Sequence, residues 1–113
     1  MAARNALLEA PPHAVEDALL KLGQRLRTAR LRRNLSVAEV GKKIGAGPRA
    51  VADAEKGKPS TGVAIYVALL WAFDLLSDFE ALADPTHDVE GLALASRRER
   101  KRARRPKGLD NEF

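Results

Sequence analysis

Residues 36–57, SVAEVGKKIGAGPRAVADAEKG, decide how this chain folds. Ser36-Val37-Ala38-Glu39 is a capping box, in which the serine hydroxyl and the glutamate carboxylate each satisfy a backbone donor left orphaned by a starting helix. The short helix that follows turns Val37, Val40 and Ile44 inward and Lys42 and Lys43 outward. Gly45-Ala46-Gly47 makes a tight turn, and Pro48 takes the first position of the next helix, where its missing N–H costs nothing. That helix passes through Val51 and Ala54 to Glu55-Lys56 and stops at Gly57, the expected left-handed terminator.

Two short helices joined by a three-residue glycine turn form a helix-turn-helix pattern. On its N-terminal side, Val15, Leu19, Leu22, Leu26 and Ala29 recur at spacings of four and three, one apolar stripe on a helix over about residues 14–33. Asn34-Leu35 breaks that helix, and residues 1–12 read as a loose arm closed by Pro11-Pro12. On the C-terminal side, Lys58-Pro59 leads to a fourth helix capped by Ser60 or Thr61. Val63–Phe73 is an unbroken apolar run, too short for a bilayer, which needs about 20 residues. A run apolar all round needs a second covered surface. A dimer partner supplies one most simply, through Ile65, Leu69, Trp71, Phe73, Leu75, Leu76 and Phe79; a central helix buried within a monomer is the other reading. Ser77-Asp78-Phe79-Glu80 is a second capping box and opens a fifth helix ending near Asp84-Pro85. Asp88–Ser96 has no clear helix or strand pattern, and Arg97–Lys107 is a basic run with one acid.

The expectation is an all-α, five-helix domain with a basic C-terminal tail, divided into an arm (1–12), the domain (13–85) and an extension (86–113). A length of 113 residues leaves no room for a second full domain. The absence of cysteine excludes disulfide scaffolds and thiol catalysis, and Met1–Glu9 lacks a signal-peptide core, which reads as a cytoplasmic protein without membrane attachment. Residues 21–58 carry eleven Lys and Arg against three acids, whereas 59–96 carry six acids and no base. The tail is basic again, so at least one polyanion-binding face is expected beside ordinary solvated helix surfaces. His13 and His87 stand alone, and no nucleophile–base pair, metal-ligand set or glycine-rich phosphate loop is present. No enzymatic activity, cofactor or metal is expected.

Residues 22–84 resemble the Xre/Cro/cI-type helix-turn-helix family. The matching text is Leu22-Gly23-Gln24-Arg25-Leu26-Arg27-Thr28-Ala29-Arg30, then Leu35-Ser36, then Ala54-Glu55-Lys56-Gly57-Lys58. The resemblance implies a structural ion pair between Arg30 and Glu55. It makes the helix after Gly47 the recognition helix, with Pro48, Arg49 and Ala50 facing base edges and Asp53 one turn on. Arg49 suits guanine O6 and N7, and Ala50 a thymine methyl. Lys42, Lys43, Lys56 and Lys58 would hold phosphates, as would the amide end behind Ser36. Two departures reduce base contacts: Val37 stands where many members place glutamine, and Gly47-Pro48 and Ala50 replace polar residues.

The whole chain resembles HipB-like antitoxins, the DNA-binding partners of HipA-type serine/threonine kinase toxins. That likeness rests on the domain followed by Asp84-Pro85, Gly91-Leu92, the arginine run and Gly108-Leu109-Asp110-Asn111-Glu112-Phe113. It implies a homodimeric, nucleoid-associated bacterial repressor that binds operator DNA, autoregulates its operon and holds the kinase inactive. Arg97, Arg98, Arg100, Lys101, Arg102, Arg104, Arg105 and Phe113 would contact DNA, the kinase or neither. A stand-alone repressor and an arginine-tailed RNA-binding adaptor are the alternatives.

Overall fold

The computed structural model describes residues 5–104, and among these every regular element is helical. Seven α-helices and one 3-10 turn replace the five helices expected: α1 (Ala6–Glu9), α2 (His13–Arg32), α3 (Val37–Ile44), α4 (Pro48–Glu55), α5 (Val63–Ala72), α6 (Leu76–Glu80), the turn Pro85–His87, and α7 (Val89–Ala103). No described helix is long and apolar enough to cross a membrane. The chain forms two compact units that divide between Glu80 and Ala81, a few residues ahead of the boundary expected after residue 85.

In the first unit, α4 packs against α2, α3 and α5. The core is Leu26 and Ala29 from α2, Val40 from α3, Val51 and Ala54 from α4, Tyr66 and Leu69 from α5, and Phe73 just beyond it. The apolar stripe of α2 is only partly used: Leu26 and Ala29 are buried, Leu19 and Leu22 half-buried, and Val15 exposed. A helix of 20 residues spans about 30 Å, far more than its eight-residue neighbours can cover, so its first turn overhangs them. Asn34 ends the helix with a left-handed backbone, φ 55°, which its short polar side chain tolerates.

Four local expectations are corrected. Residues 5–12 are not wholly a loose arm, because Asn5 Oδ1 accepts from the Leu7 amide at 3.0 Å and starts α1. The cap of α5 is neither Ser60 nor Thr61 but Gly62, which offers no side-chain acceptor. Ser77 lies inside α6 rather than before it: Asp74, at φ 60°, reverses the end of α5, and α6 begins at once with Leu76. That helix also stops at Glu80, short of Asp84-Pro85.

In the second unit, Asp84 Oδ1 accepts from the Thr86 amide and hydroxyl, shaping the Pro85–His87 turn. Those two bonds, the backbone one first, hold the Asp84 carboxyl below its ordinary range. Asp88 then caps α7 by accepting from the Gly91 amide at 3.0 Å. The segment with no clear pattern, Asp88–Ser96, and most of the basic run are therefore one continuous helix.

Candidate nucleic-acid interface

Ser36 Oγ accepts from the Glu39 amide at 3.0 Å, and Glu39 Oε1 accepts from the Ser36 amide at 2.8 Å. This reciprocal cap sets where α3 begins. The Ser36 amide, then its hydroxyl, holds the Glu39 carboxyl below the usual glutamate range. Ser36 is thus spent on the cap, with a carboxylate beside it, which disfavours the phosphate expected there.

The turn ends α3 at Gly45, whose φ is 78°, and Pro48 opens α4. Val51 and Ala54 fix the inward face of α4. At helical spacing the opposite face then carries Arg49, Asp53 and Lys56. Pro48, Arg49 and Lys56 are exposed, and Ala50 and Asp53 half-buried. Asp53 Oδ1 pairs with Lys58 Nζ at 3.3 Å, so this acid and base largely neutralise each other at the end of the helix. Lys42 is exposed with Lys43 on α3; Lys43 Nζ also donates to the Ala72 carbonyl at 3.4 Å, close to the C-terminus of α5.

Arg30 and Glu55 meet as a bidentate pair, Nε to Oε2 at 2.6 Å and Nη2 to Oε1 at 3.0 Å. The carboxylate raises the Arg30 pKa further and keeps the guanidinium charged. Behind them, a Cβ on Gly23 would lie 2.5 Å from the Glu55 carbonyl oxygen, so only glycine lets α2 approach the end of α4.

Sequence reasoning missed Arg33, which entered only as one of the eleven Lys and Arg of residues 21–58. Its guanidinium donates to the Ala29 and Phe73 carbonyls at 2.9 and 2.8 Å and lies 5.3 Å from the Phe73 ring centre. It fastens α2 to the end of α5 and is partly withdrawn from any ligand. The only signal was an arginine one turn after Ala29, and nothing local pointed forty residues onward to Phe73. Tyr66, also missed, donates its hydroxyl to the Lys58 carbonyl at 3.2 Å, and burial pushes its phenol up.

The apolar surface assigned to a dimer divides. Leu69 and Phe73 are each 1% exposed and belong to the protomer's own core, which corrects their assignment to an interface between copies. Ile65, Leu75, Leu76 and Phe79 are half-buried, and Trp71 is 56% exposed. In the second unit, Arg97, Arg98, Arg100, Lys101, Arg102 and Arg104 are exposed along α7 and its C-terminal cap. Arg105 and Phe113 lie outside the described residues.

Comparison with known proteins decides the family. A family model described as a helix-turn-helix domain matches residues 21–84, more than half of the chain. The chain belongs to the helix-turn-helix family. The match begins within α2 at Lys21 and runs through α6, with the two helices around Gly45-Ala46-Gly47 near its centre. No curated protein and no solved structure matches the chain. A helix-turn-helix domain points to a DNA-binding regulator, with α4 in the position of the helix that enters the major groove.

Proposed function

We propose that this helix-turn-helix protein is a sequence-specific transcriptional repressor that binds palindromic operator DNA as a homodimer, and that it acts without enzymatic activity. The observation that carries this reading is the outward face of α4, where Arg49 and Lys56 are exposed on a short helix braced by the buried Arg30–Glu55 pair. A rigid platform matters because base readout needs its side chains held in register with the groove. Arg49 reads a base edge, while Lys42 and Lys56 hold phosphates on either side.

The finer reading is that the repressor is the antitoxin of a HipBA-like module, autoregulating its operon and binding a serine/threonine kinase toxin. Its support is the likeness of residues 84–113 to HipB-like antitoxins, together with the exposed Leu92 and Leu94 of α7, which are available to a protein partner. Purifying the tagged protein from its own source at native expression, then shifting promoter DNA of its own gene, tests both levels. A stoichiometric kinase-sized partner supports the antitoxin. A homodimer alone that still shifts the promoter leaves a stand-alone repressor, and failure to shift any duplex removes the DNA-binding reading itself.

A further inference from the structure

The bases of α7 are not scattered evenly around the helix. At about 100° per residue, Arg97, Arg98, Arg100, Lys101, Arg102 and Arg104 fall within one arc of about 200°. The remaining strip carries Val89, Leu92, Ser96, Glu99 and Ala103 at spacings of three and four, and no base lies on it. Over residues 97–104 the helix is therefore two-faced, basic on one side and without a base on the other, where Ser96, Glu99 and Ala103 lie.

The basic arc is dense. Six cations over the eight residues 97–104 span about 12 Å of helix, close to one charge per 2 Å. Double-stranded DNA carries one phosphate charge per about 1.7 Å of axis, a nearly matching density. Within the arc, Arg97, Arg100, Lys101 and Arg104 lie three or four positions apart and repel one another, a cost that interleaved phosphates relieve. No acid among the described residues pairs with any of these six side chains. Glu99, the one acid within the run, is turned to the opposite strip.

We infer that α7 is a second DNA-contacting element, which binds the phosphate backbone of duplex DNA through this arc and adds affinity without sequence preference. The inference rests on the DNA-binding reading of the helix-turn-helix and extends it to a surface outside the matched residues 21–84. DNA is favoured over single-stranded RNA because α7 carries no aromatic side chain on which unpaired bases would stack.

The test measures binding of the full chain to a fluorescent duplex of arbitrary sequence across a range of salt. Each phosphate contact contributes about 0.9 to the slope of log affinity against log salt. Arg97→Gln/Arg98→Gln/Arg102→Gln is expected to reduce that slope by about 2 to 3 and to weaken operator and unrelated DNA alike. The matching triple Lys variant restores the slope, because phosphate contacts need charge more than guanidinium shape. Glu99→Gln, on the other strip, raises the net charge by one yet leaves the slope unchanged.

An unchanged slope in the triple Gln variant overturns the inference, including where that variant instead loses an RNA or a protein partner. A slope that follows net charge alone, rising in Glu99→Gln, overturns it as well. Wild-type protein that binds no duplex at all overturns both this inference and the reading it rests on. Loss of sequence discrimination in Arg49→Ala alongside an unchanged slope in the triple variant overturns only the role of α7.

Discussion

Arg30 and Glu55, 25 positions apart, are joined by two hydrogen bonds, and the third arm of Arg30 donates to the Leu35 carbonyl at 2.9 Å. One guanidinium thus ties together the end of α2, the loop into α3 and the end of α4. Both side chains are at most 10% exposed, so removing either leaves a charge stranded away from water. Glu55→Ala is expected to cost about 3 kcal/mol, a large share of the total for a small domain. The double change Arg30→Met/Glu55→Leu should recover most of that loss in urea unfolding, because an apolar pair leaves no buried charge. Equal losses in the single and double variants would show that the pair is not an electrostatic clamp.

Gly57 and Gly45 both have left-handed backbones, with φ of 69° and 78°, but their surroundings differ. A Cβ on Gly45 meets nothing within 4 Å, whereas one on Gly57 would lie 2.6 Å from the Leu19 carbonyl oxygen. Gly45→Ala should therefore cost about 1–2 kcal/mol, the ordinary penalty for an L-residue in that region. Gly57→Ala carries that penalty and also forces the α2 backbone away from the end of α4. Its thermal midpoint should fall well below that of Gly45→Ala, and equal midpoints would contradict the close approach.

These contrasts show what local sequence carries. The range of α3, its capping box and the proline at the start of α4 were legible because each is set within four residues. The need for Gly23 and the anchoring of Arg33 on Phe73 were not, since both depend on elements that meet only after folding. The start of α5 was misplaced because Ser60 and Thr61 are good caps by composition, yet the cap falls one residue beyond them, at Gly62, and the helix begins at Val63. α7 escaped notice because the strip that begins with Val89 and Leu92 is continued by Ser96 and Glu99 rather than by large apolar residues, so no amphipathic pattern stands out; Asp88 three residues ahead of Gly91 was its one local mark. Within the candidate site, residue types on α4 were legible, but the neutralisation of Asp53 by Lys58 was not.

Glu39 has its carboxyl held below the ordinary glutamate range by the Ser36 amide first and the hydroxyl second. A group depressed in the folded state stabilises fully above its unfolded pKa, and that contribution is lost as pH falls through the folded value. Acidification below about pH 4 should therefore weaken the wild type more steeply than Glu39→Gln, whose side chain does not titrate. Denaturant midpoints measured from neutral to acid pH check this, and parallel decline of the two proteins would remove the capping box as a source of acid sensitivity.

Arg49 and Lys42 should separate the two kinds of DNA contact. Arg49→Ala is expected to cost about 1–3 kcal/mol on the operator and to relax preference at one base position. Lys42→Ala should weaken every duplex alike and lower the salt slope by about 1. Competition binding against a set of single-base operator variants distinguishes them. Full specificity in Arg49→Ala would mean that α4 does not read base edges through this side chain.

Trp71 and Leu69 stand two positions apart on α5 but face different environments, 56% and 1% exposed. Leu69→Ala should open a cavity in the core and cost about 2–5 kcal/mol. Trp71→Glu should leave the protomer folded, since more than half of the ring already meets solvent. If copies pair through the end of α5 and the half-buried Leu75, Leu76 and Phe79, a carboxylate at position 71 meets its own copy or an apolar surface across the interface. Sedimentation should then report a monomer that melts close to the wild type and binds a palindromic operator more weakly. An unchanged dimer mass in Trp71→Glu would place the pairing surface elsewhere on the chain.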